Sequence, residues 1–152
     1  MIKICFTASS GGHFEQILML KPLMDKYKSF IITEKTEYLP AKNNIQTYYI
    51  KQVNRRSITF IPFMIINIFK TLRIFLKEKP DIIISTGALA TIPICIISKL
   101  FSKKVIFIES FAKINTPTLT GKLLYRFADQ FYVQWEDMLK VYPDAIYKGG
   151  IY

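Results

Sequence analysis

The feature that most constrains this chain is a series of short, almost wholly apolar runs that alternate with segments of helical periodicity. Uninterrupted apolar runs are typical of strands that are buried on both faces, and their alternation with helices predicts a parallel sheet. We therefore expect an α/β fold, a Rossmann-like doubly wound parallel sheet. Strands are predicted at residues 2–7, 29–33, 45–50, 81–85, 105–109 and 130–134, and helices at 13–26 (with a kink or early end at Pro22), 57–77, 91–101, 119–128 and 135–141.

Length and composition favour one folded unit. The chain has 152 residues, of which 51% are hydrophobic, so a single domain over residues 1–152 can bury a core. Cys5 and Cys95 lie in apolar stretches and have neither a disulfide framework nor metal-ligand spacing. We expect buried thiols in a reducing compartment, no metal site and no cofactor.

Two apolar segments could be mistaken for membrane-targeting elements. The first residues lack the longer apolar core and the cleavage site of a signal peptide, so they predict a strand. Residues 82–101 have the length of a membrane span, but Ser85, Thr86, Gly87 and Pro93 interrupt them. A strand, a turn and a buried helix explain that segment better.

The charge is strongly positive and unevenly placed. The net charge is +10, and residues 51–79 contain seven basic residues and only one acidic residue. The cluster brackets the apolar helix at 57–77, which favours an anionic membrane surface over nucleic acid. A core helix remains the alternative, and the shortness of the uncharged run argues against a membrane span. The predicted membrane contacts are Arg55, Arg56, Phe60, Phe63, Lys70 and Arg73.

The loop after the first strand is a candidate anion site. It reads Ser-Ser-Gly-Gly-His at residues 9–13, and its two glycines permit close approach of the backbone to a ligand. The spacing is neither that of a dinucleotide fingerprint nor that of a P-loop, and a plain tight turn is the alternative. His13 is the only histidine of the chain, and it is a candidate base or phosphate ligand.

Two further loops follow predicted strands at the same edge of the sheet. Ser85, Thr86 and Gly87 form a small polar loop, and Glu109 places a carboxylate at the end of the fifth strand. Glu109 is the second catalytic candidate, with a loop-pairing role as the alternative. The candidate acceptor- or phosphate-binding residues are Ser10, Gly11, Gly12, Ser85, Thr86 and Gly87.

Taken in order, the motifs resemble those of a known family. They are Ser-Ser-Gly-Gly-His, Ser-Thr-Gly, Glu-Ser-Phe-Ala, Leu-Thr-Gly-Lys-Leu-Leu-Tyr and Ala-Asp-Gln-Phe-Tyr-Val-Gln-Trp. The chain resembles the anchor subunit of the dolichol-pathway UDP-GlcNAc transferase and its bacterial capsule and exopolysaccharide relatives of the CpsF/PssD type. It is more distantly similar to the N-terminal half of the lipid II-forming GlcNAc transferase.

The resemblance implies the N-terminal, acceptor-side domain of a GT-B glycosyltransferase that is split over two polypeptides. This half would bind the membrane and a saccharide on polyprenyl diphosphate, in bacterial polysaccharide biosynthesis. Gly11, Gly12 and His13 would face the acceptor pyrophosphate, Gly87 would belong to a second glycine loop, and Glu109 would line the cleft. A donor-binding partner chain would hold the UDP-sugar at the subunit interface, and the chain would be inactive without it.

The resemblance also implies expectations about partners and location. The eukaryotic anchor subunit has an N-terminal transmembrane helix, whereas this sequence begins at a strand, so we expect a cytoplasmic protein, peripheral on the inner face of the cell membrane. We expect a heterodimer and no nucleic-acid partner. The alternative, a self-sufficient small Rossmann-like nucleotide-binding enzyme, lacks a second glycine fingerprint with an acidic ribose partner. Large aromatic and apolar side chains near the C-terminus predict the partner interface: Trp135, Tyr142, Ile151 and Tyr152.

Overall fold

The computed structural model describes residues 1–36 and 44–152 and contains a seven-stranded, all-parallel sheet. The strand order is β3-β2-β1-β4-β5-β6-β7, so the predicted Rossmann-like doubly wound fold is confirmed. The last strand is two residues long, too short to leave a hydrophobic pattern, and the sequence did not predict it. The strands are β1 Lys3–Ala8, β2 Lys28–Glu34, β3 Gln46–Ile50, β4 Ile82–Ser85, β5 Lys104–Ile108, β6 Gln130–Val133 and β7 Ile146–Tyr147.

Five α-helices connect these strands within the described residues. The helix predicted at 13–26 is two helices, because Pro22 begins a new helix in its first turn, where its missing N–H is not needed. The helix predicted at 119–128 ends earlier, at Leu124, and its remaining residues form turns. The helices are α1 Gly12–Leu18, α2 Lys21–Lys26, α3 Phe60–Glu78, α4 Ile92–Leu100 and α5 Leu119–Leu124, with 3-10 turns at Leu89–Thr91 and Glu136–Lys140.

Alternate residues of the strands supply two separate cores. Phe6 and Ile31 point to the face covered by α1 and α2, while Phe30 and Ile83 point to the face covered by α3, α4 and α5. Burial of both faces is the reason that the strands read as continuous apolar runs. Cys95 lies in the second core, and burial raises the pKa of its thiol to about 12, so it is an inert apolar side chain.

The face that carries α1 and α2 is covered only in part. Beyond these helices, β4, β5 and β6 present Ile84, Ile106 and Tyr132 to an apolar groove of about 300 Å³. The walls of the groove include Leu23 of α2 and Ile151 near the chain end. We call this feature the open groove. The sheet is therefore closed on one side and left partly uncovered on the other.

Helix α3 is tied to the segment that follows β3. The buried Asn67 side chain accepts a hydrogen bond from the backbone N–H of Lys51 and donates one to its carbonyl oxygen, both at 2.8 Å. Thr71 hydrogen-bonds the carbonyl of Asn67 one turn earlier. Within residues 1–36 and 44–152, no helix is both long enough and apolar enough to cross a membrane.

Candidate functional site

The candidate site lies where the strand order reverses, between β1 and β4. Doubly wound sheets bind ligands at this switch point, at the carboxyl ends of the strands. The loop after β1 and the loop after β4 meet there, because Ser9 donates its backbone N–H to the carbonyl of Gly87 at 2.7 Å. Thr86 donates its N–H to the carbonyl of Thr7 at 3.2 Å. The two glycine loops predicted from the sequence are therefore brought together.

Both loops require glycine for identifiable reasons. Gly11 has a φ of 72° and Gly87 a φ of 98°, in the region that side chains disfavour. A Cβ at Gly87 would lie 3.2 Å from Cε1 and 3.3 Å from Nδ1 of His13. Nothing lies within 4 Å of the corresponding positions at Gly11 and Gly12, so their exposed backbone is open to a ligand. The first loop offers space, and the second supports the imidazole ring.

The hydrogen bonds of His13 determine its tautomer. Its Nδ1 lies 2.7 Å from the carbonyl oxygen of Thr86, which can only accept, so Nδ1 carries the hydrogen. The Thr86 hydroxyl in turn donates to the carbonyl of His13 at 2.7 Å. In the neutral ring, Nε2 then keeps its lone pair, and no hydrogen bond to it is found among the described residues. His13 is held rigidly and can accept a proton at Nε2.

The side chains of Ser85 and Thr86 are buried within the second loop. The Ser85 hydroxyl donates to Thr91 Oγ1 at 3.0 Å and accepts from the N–H of Gly87 at 3.2 Å. The prediction that these two side chains contact a phosphate is corrected, because their hydroxyls shape the loop from inside. Ser10 is partly exposed, and its hydroxyl donates to Glu34 at 3.1 Å.

Glu109 is 1% exposed and has its partners inside the protein. Its carboxylate accepts hydrogen bonds from the Ser110 N–H at 2.8 Å, the Thr118 hydroxyl at 2.9 Å and the Tyr142 hydroxyl at 3.0 Å. The adjacent Gly121 is obligatory, because a Cβ there would lie 2.1 Å from Glu109 Oε2. This geometry favours the loop-pairing alternative over catalysis, since the carboxylate holds the 110–118 loop onto α5.

A buried polar network joins α1 to the chain end. Gln134 donates through Nε2 to Gln16 Oε1 at 2.8 Å and to the carbonyl of Glu109 at 2.9 Å. Gln16 Oε1 also accepts from the N–H of Phe111, and Gln134 Oε1 accepts from that of Ile151 at 3.1 Å. Sequence reasoning missed this network, although Gln134 is the last residue of a predicted strand in the same way as Glu109.

The predicted partner residues have different surroundings. Tyr142 is only 3% exposed and packs its ring on Tyr125 and Phe131, so its place in a partner interface is corrected: it is a core residue. Burial raises the pKa of Tyr142, and the Glu109 carboxylate beside it adds to the shift.

The remaining three predicted partner residues form one surface around Phe111. Trp135 is half-buried and donates its indole N–H to the carbonyl of Phe111 at 2.7 Å, and Tyr152 is exposed. The Phe111 ring lies 4.9 Å from the Trp135 ring and 5.0 Å from the Tyr152 ring. Ile151 is half-buried beside the open groove.

Helix α3 has an exposed apolar stripe beside an exposed basic one. The side that faces the core contains Asn67, Thr71 and Phe75. The helix is therefore neither wholly a core helix nor wholly a surface helix, because one face is buried and another is exposed. Phe60 and Phe63 are half-buried, and Lys51 lies over the Phe63 ring. The exposed apolar side chains follow helical spacing at Ile61, Ile65, Ile68, Phe69 and Leu76, and Lys70, Arg73 and Lys77 are exposed next to them.

Among the described residues, no group of three or more histidine, cysteine, aspartate or glutamate side chains could hold a metal ion. The side chain that the switch point places between the two glycine loops is the imidazole of His13. Together with the strand order, this arrangement is that of the N-terminal domain of a GT-B glycosyltransferase.

Solved structures agree with this class. MurG of Acinetobacter baumannii superposes with a TM-score of 0.76 at 19% sequence identity, over 90% of this chain and 43% of that chain. MnaA of S. aureus in its UDP co-structure gives a TM-score of 0.75 at 12% identity. The chain spans less than half the length of either protein, and at these identities the likeness establishes the fold alone.

Sequence comparison defines the family. The family of oligosaccharide biosynthesis proteins described as Alg14 like matches residues 4–151, and the chain belongs to it. The human UDP-N-acetylglucosamine transferase subunit ALG14 is 29% identical over 180 residues, covering 99% of this chain and 83% of that protein. A Staphylococcus carnosus N-acetylglucosamine transferase named for an N-acetylmuramyl-(pentapeptide) pyrophosphoryl-undecaprenol substrate is 27% identical over 160 residues, covering 94% of this chain and 42% of that enzyme.

Proposed function

We propose that this chain is the acceptor-side subunit of a heteromeric glycosyltransferase that transfers a sugar from a UDP-sugar to a saccharide on a polyprenyl diphosphate. The observation that carries the proposal is His13, held through Nδ1 at the junction of two glycine loops with Nε2 unpaired. Support also comes from the relatives, which are named as UDP-N-acetylglucosamine transferase subunits and as a transferase for a pyrophosphoryl-undecaprenol substrate. The resemblance to capsule and exopolysaccharide proteins supports a bacterial polysaccharide as the product.

The chemistry follows from the tautomer of His13. An acceptor hydroxyl placed at Nε2 loses its proton to the imidazole while its oxygen bonds to the anomeric carbon of the donor sugar. The bond from that carbon to the UDP oxygen breaks, and UDP leaves with the electron pair. The acceptor diphosphate lies over the exposed backbone of Gly11 and Gly12, where no side chain is in the way.

The test of this role is sugar transfer by the complex of this chain with its donor-binding partner. Replacing the base, as in His13→Ala, is expected to lower kcat about a hundredfold or more. Circular dichroism shows whether the variant stays folded. A folded variant whose kcat falls less than about threefold would return His13 to a purely structural role.

The donor-binding partner is proposed to dock at the chain's C-terminal side. The surface combines exposed Tyr152, which stacks on Phe111, with the open groove. The groove is apolar and residues of β4–β6 form its floor, which suits an amphipathic helix of the partner. Gln134 hydrogen-bonds both Ile151 and Gln16, and Gln16 belongs to α1, the helix that contains His13. A partner bound here would therefore be connected to the loop that positions His13.

Helix α3 is proposed to meet the membrane that carries the acceptor lipid, on the inner face of the cell membrane. Phe69 is 63% exposed although it lies on a helix whose other face is core. Such a stripe, with Lys70 and Arg73 exposed beside it, fits the boundary between headgroups and acyl chains of an anionic bilayer. Arg56 is exposed just before α3 and extends the basic edge.

Liposome sedimentation tests the α3 surface. With phosphatidylglycerol-containing vesicles, Ile65→Glu plus Phe69→Glu is expected to abolish binding. Lys70→Gln plus Arg73→Gln should weaken binding at low salt by about 25-fold. Each basic residue near an anionic surface contributes about 1 kcal/mol to the binding free energy, and the variant removes two of them.

The matched control is Lys122→Gln plus Arg126→Gln, which removes two exposed charges away from α3 and should bind more tightly than the α3 charge variant. Equal sedimentation of all the variants and the wild type would overturn the membrane assignment. Retention of folding by each variant is checked by its Tm.

A further inference from the structure

A polar pocket of about 520 Å³ opens beside the glycine loops, at the carboxyl ends of β1 to β4. Ser9 and Ala88, one from each glycine loop, form one wall. The opposite wall is the segment after β3, and Thr59 lies at its end, immediately before α3. The volume lies within the usual range for small-molecule sites. We call this feature the acceptor pocket.

A single buried carboxylate holds the pocket together. Glu34, at the end of β2, is 6% exposed and belongs to the pocket lining. Its Oε2 accepts hydrogen bonds from the backbone N–H and the hydroxyl of Ser10, at 3.2 and 3.1 Å, and its Oε1 accepts from the N–H of Val53 at 3.0 Å. Glu34 therefore fixes the first glycine loop relative to the segment after β3. Because the hydrogen bonds of one side chain join the two walls, the pocket has a defined shape.

Polar groups on the wall remain available to a ligand. Gln52 and Arg55 line the pocket, are exposed, and make no hydrogen bond or ion pair with any described residue. Asn54 uses Oδ1 to accept from the Arg56 N–H at 3.0 Å, which leaves its amide NH₂ free to donate. Two amides and a guanidinium can bind hydroxyl, acetamido and phosphoryl oxygens. Arg55 is also one of the predicted membrane contacts, and that prediction stays a prediction beside its place in the pocket lining.

The pocket lies between the proposed lipid-binding surface and the proposed base. The lipid chain enters over the apolar stripe of α3, and the reactive hydroxyl must reach Nε2 of His13. The pocket lies between these two places, since Thr59 leads into α3 while Ser9 and Ala88 belong to the loops around His13. A polar lining suits a saccharide and not the lipid.

We propose that the acceptor pocket binds the saccharide headgroup of the lipid-linked acceptor, with Gln52, Asn54 and Arg55 as its contact residues and Glu34 as the residue that positions them. This inference rests on the proposed function and adds to it a subsite that distinguishes one acceptor saccharide from another. Gln52 and Arg55 determine which acceptor is used, whereas His13 acts on whichever hydroxyl is presented.

Equilibrium binding to the intact chain tests the subsite without a partner. The probes are farnesyl diphosphate and farnesyl diphosphate carrying N-acetylglucosamine, glucose or galactose, with UDP as a further probe. At least one sugar-bearing probe should bind about tenfold more tightly than farnesyl diphosphate. In Gln52→Ala plus Arg55→Gln this ratio should fall to about one. Arg126→Gln plus Gln130→Ala is the matched control, because both residues are exposed and neither lines the pocket, and it should keep the ratio.

The outcomes separate the subsite from the proposed function. Equal affinity of the wild type for bare and sugar-bearing probes would overturn the subsite while leaving diphosphate binding at the glycine loops intact. No binding of any lipid diphosphate would overturn the proposed function itself. Tight binding of UDP that is lost in the pocket variant would mean that the pocket holds a nucleotide, and would also overturn the subsite.

Discussion

Gly87→Ala is the substitution that probes the site most selectively. The new methyl group would lie 3.2 Å from Cε1 and 3.3 Å from Nδ1 of His13, closer than ordinary contact, so the ring must shift by a few tenths of an ångström. Such a shift weakens the 2.7 Å hydrogen bond to the Thr86 carbonyl that fixes the tautomer. The backbone contributes separately, because a φ of 98° costs a residue with a side chain about 1–3 kcal/mol.

Two measurements separate these effects. The Tm of the chain should fall by roughly 3–10 °C, the equivalent of the backbone cost. The chain has one histidine, so its ¹⁵N imidazole signals report His13 without assignment, and they should show a mixture of tautomers in the variant. Transfer by the complex should fall by up to about a hundredfold, since small displacements of reacting groups are costly.

Gly149→Ala is the matched control for the backbone. Gly149 has a φ of 89°, yet nothing lies within 4 Å of its Cβ position. On the chain alone it should lose similar stability and leave the His13 signals unchanged. If Gly87→Ala retained wild-type His13 signals and wild-type transfer, the reasoning that the second loop positions the imidazole would be refuted.

Three further substitutions have defined expectations. Glu109→Gln should cost about 1.5–3 kcal/mol on denaturant unfolding, because it removes a buried charge that accepts several hydrogen bonds, while the folded complex keeps kcat within about threefold; a hundredfold loss in a folded complex would restore its catalytic role. Burial alone would raise the pKa of Glu78, but hydrogen bonds from Lys3 and Tyr48 outweigh burial and hold it low. Glu78→Gln should therefore lower the Tm at pH 7, and the difference from wild type should vanish as the pH falls through that lowered pKa; a constant difference would contradict this. Tyr152→Ala should weaken partner binding about tenfold by calorimetry, and unchanged affinity would exclude its side chain as an anchor.

The sequence predicted the fold well because its strands are buried on both faces. A run such as residues 81–85 has only one good environment, the middle of a covered parallel sheet. The loops at 9–13 and 85–87 were also predictable, since the ends of neighbouring parallel strands must meet at one edge. Pro22 also predicted the early end of the first helix. The two-residue strand β7 depends on tertiary contacts that periodicity does not record.

Which polar residues face outward was harder to predict. Glu34 and Glu109 both lie at the carboxyl ends of predicted strands. Sequence position cannot distinguish a carboxylate that lines a pocket from one that is buried beneath Thr118 and Tyr142. The aromatic Tyr142 reads as an interface anchor in the sequence and is core in the structure, because Tyr125 and Phe131 pack around it. Pairings of this kind are long-range and leave no local pattern.

The most direct measurement of the central claim is sugar transfer by separated and combined chains. This chain, a donor-binding GT-B partner from the same genome, and their mixture are each given UDP-N-acetylglucosamine and lipid-linked saccharide extracted from the source membranes. Product is expected only in the mixture, and the mixture that contains His13→Ala should be slower by about a hundredfold or more. Robust transfer by this chain alone would contradict the claim that it is the acceptor-side half of a divided enzyme.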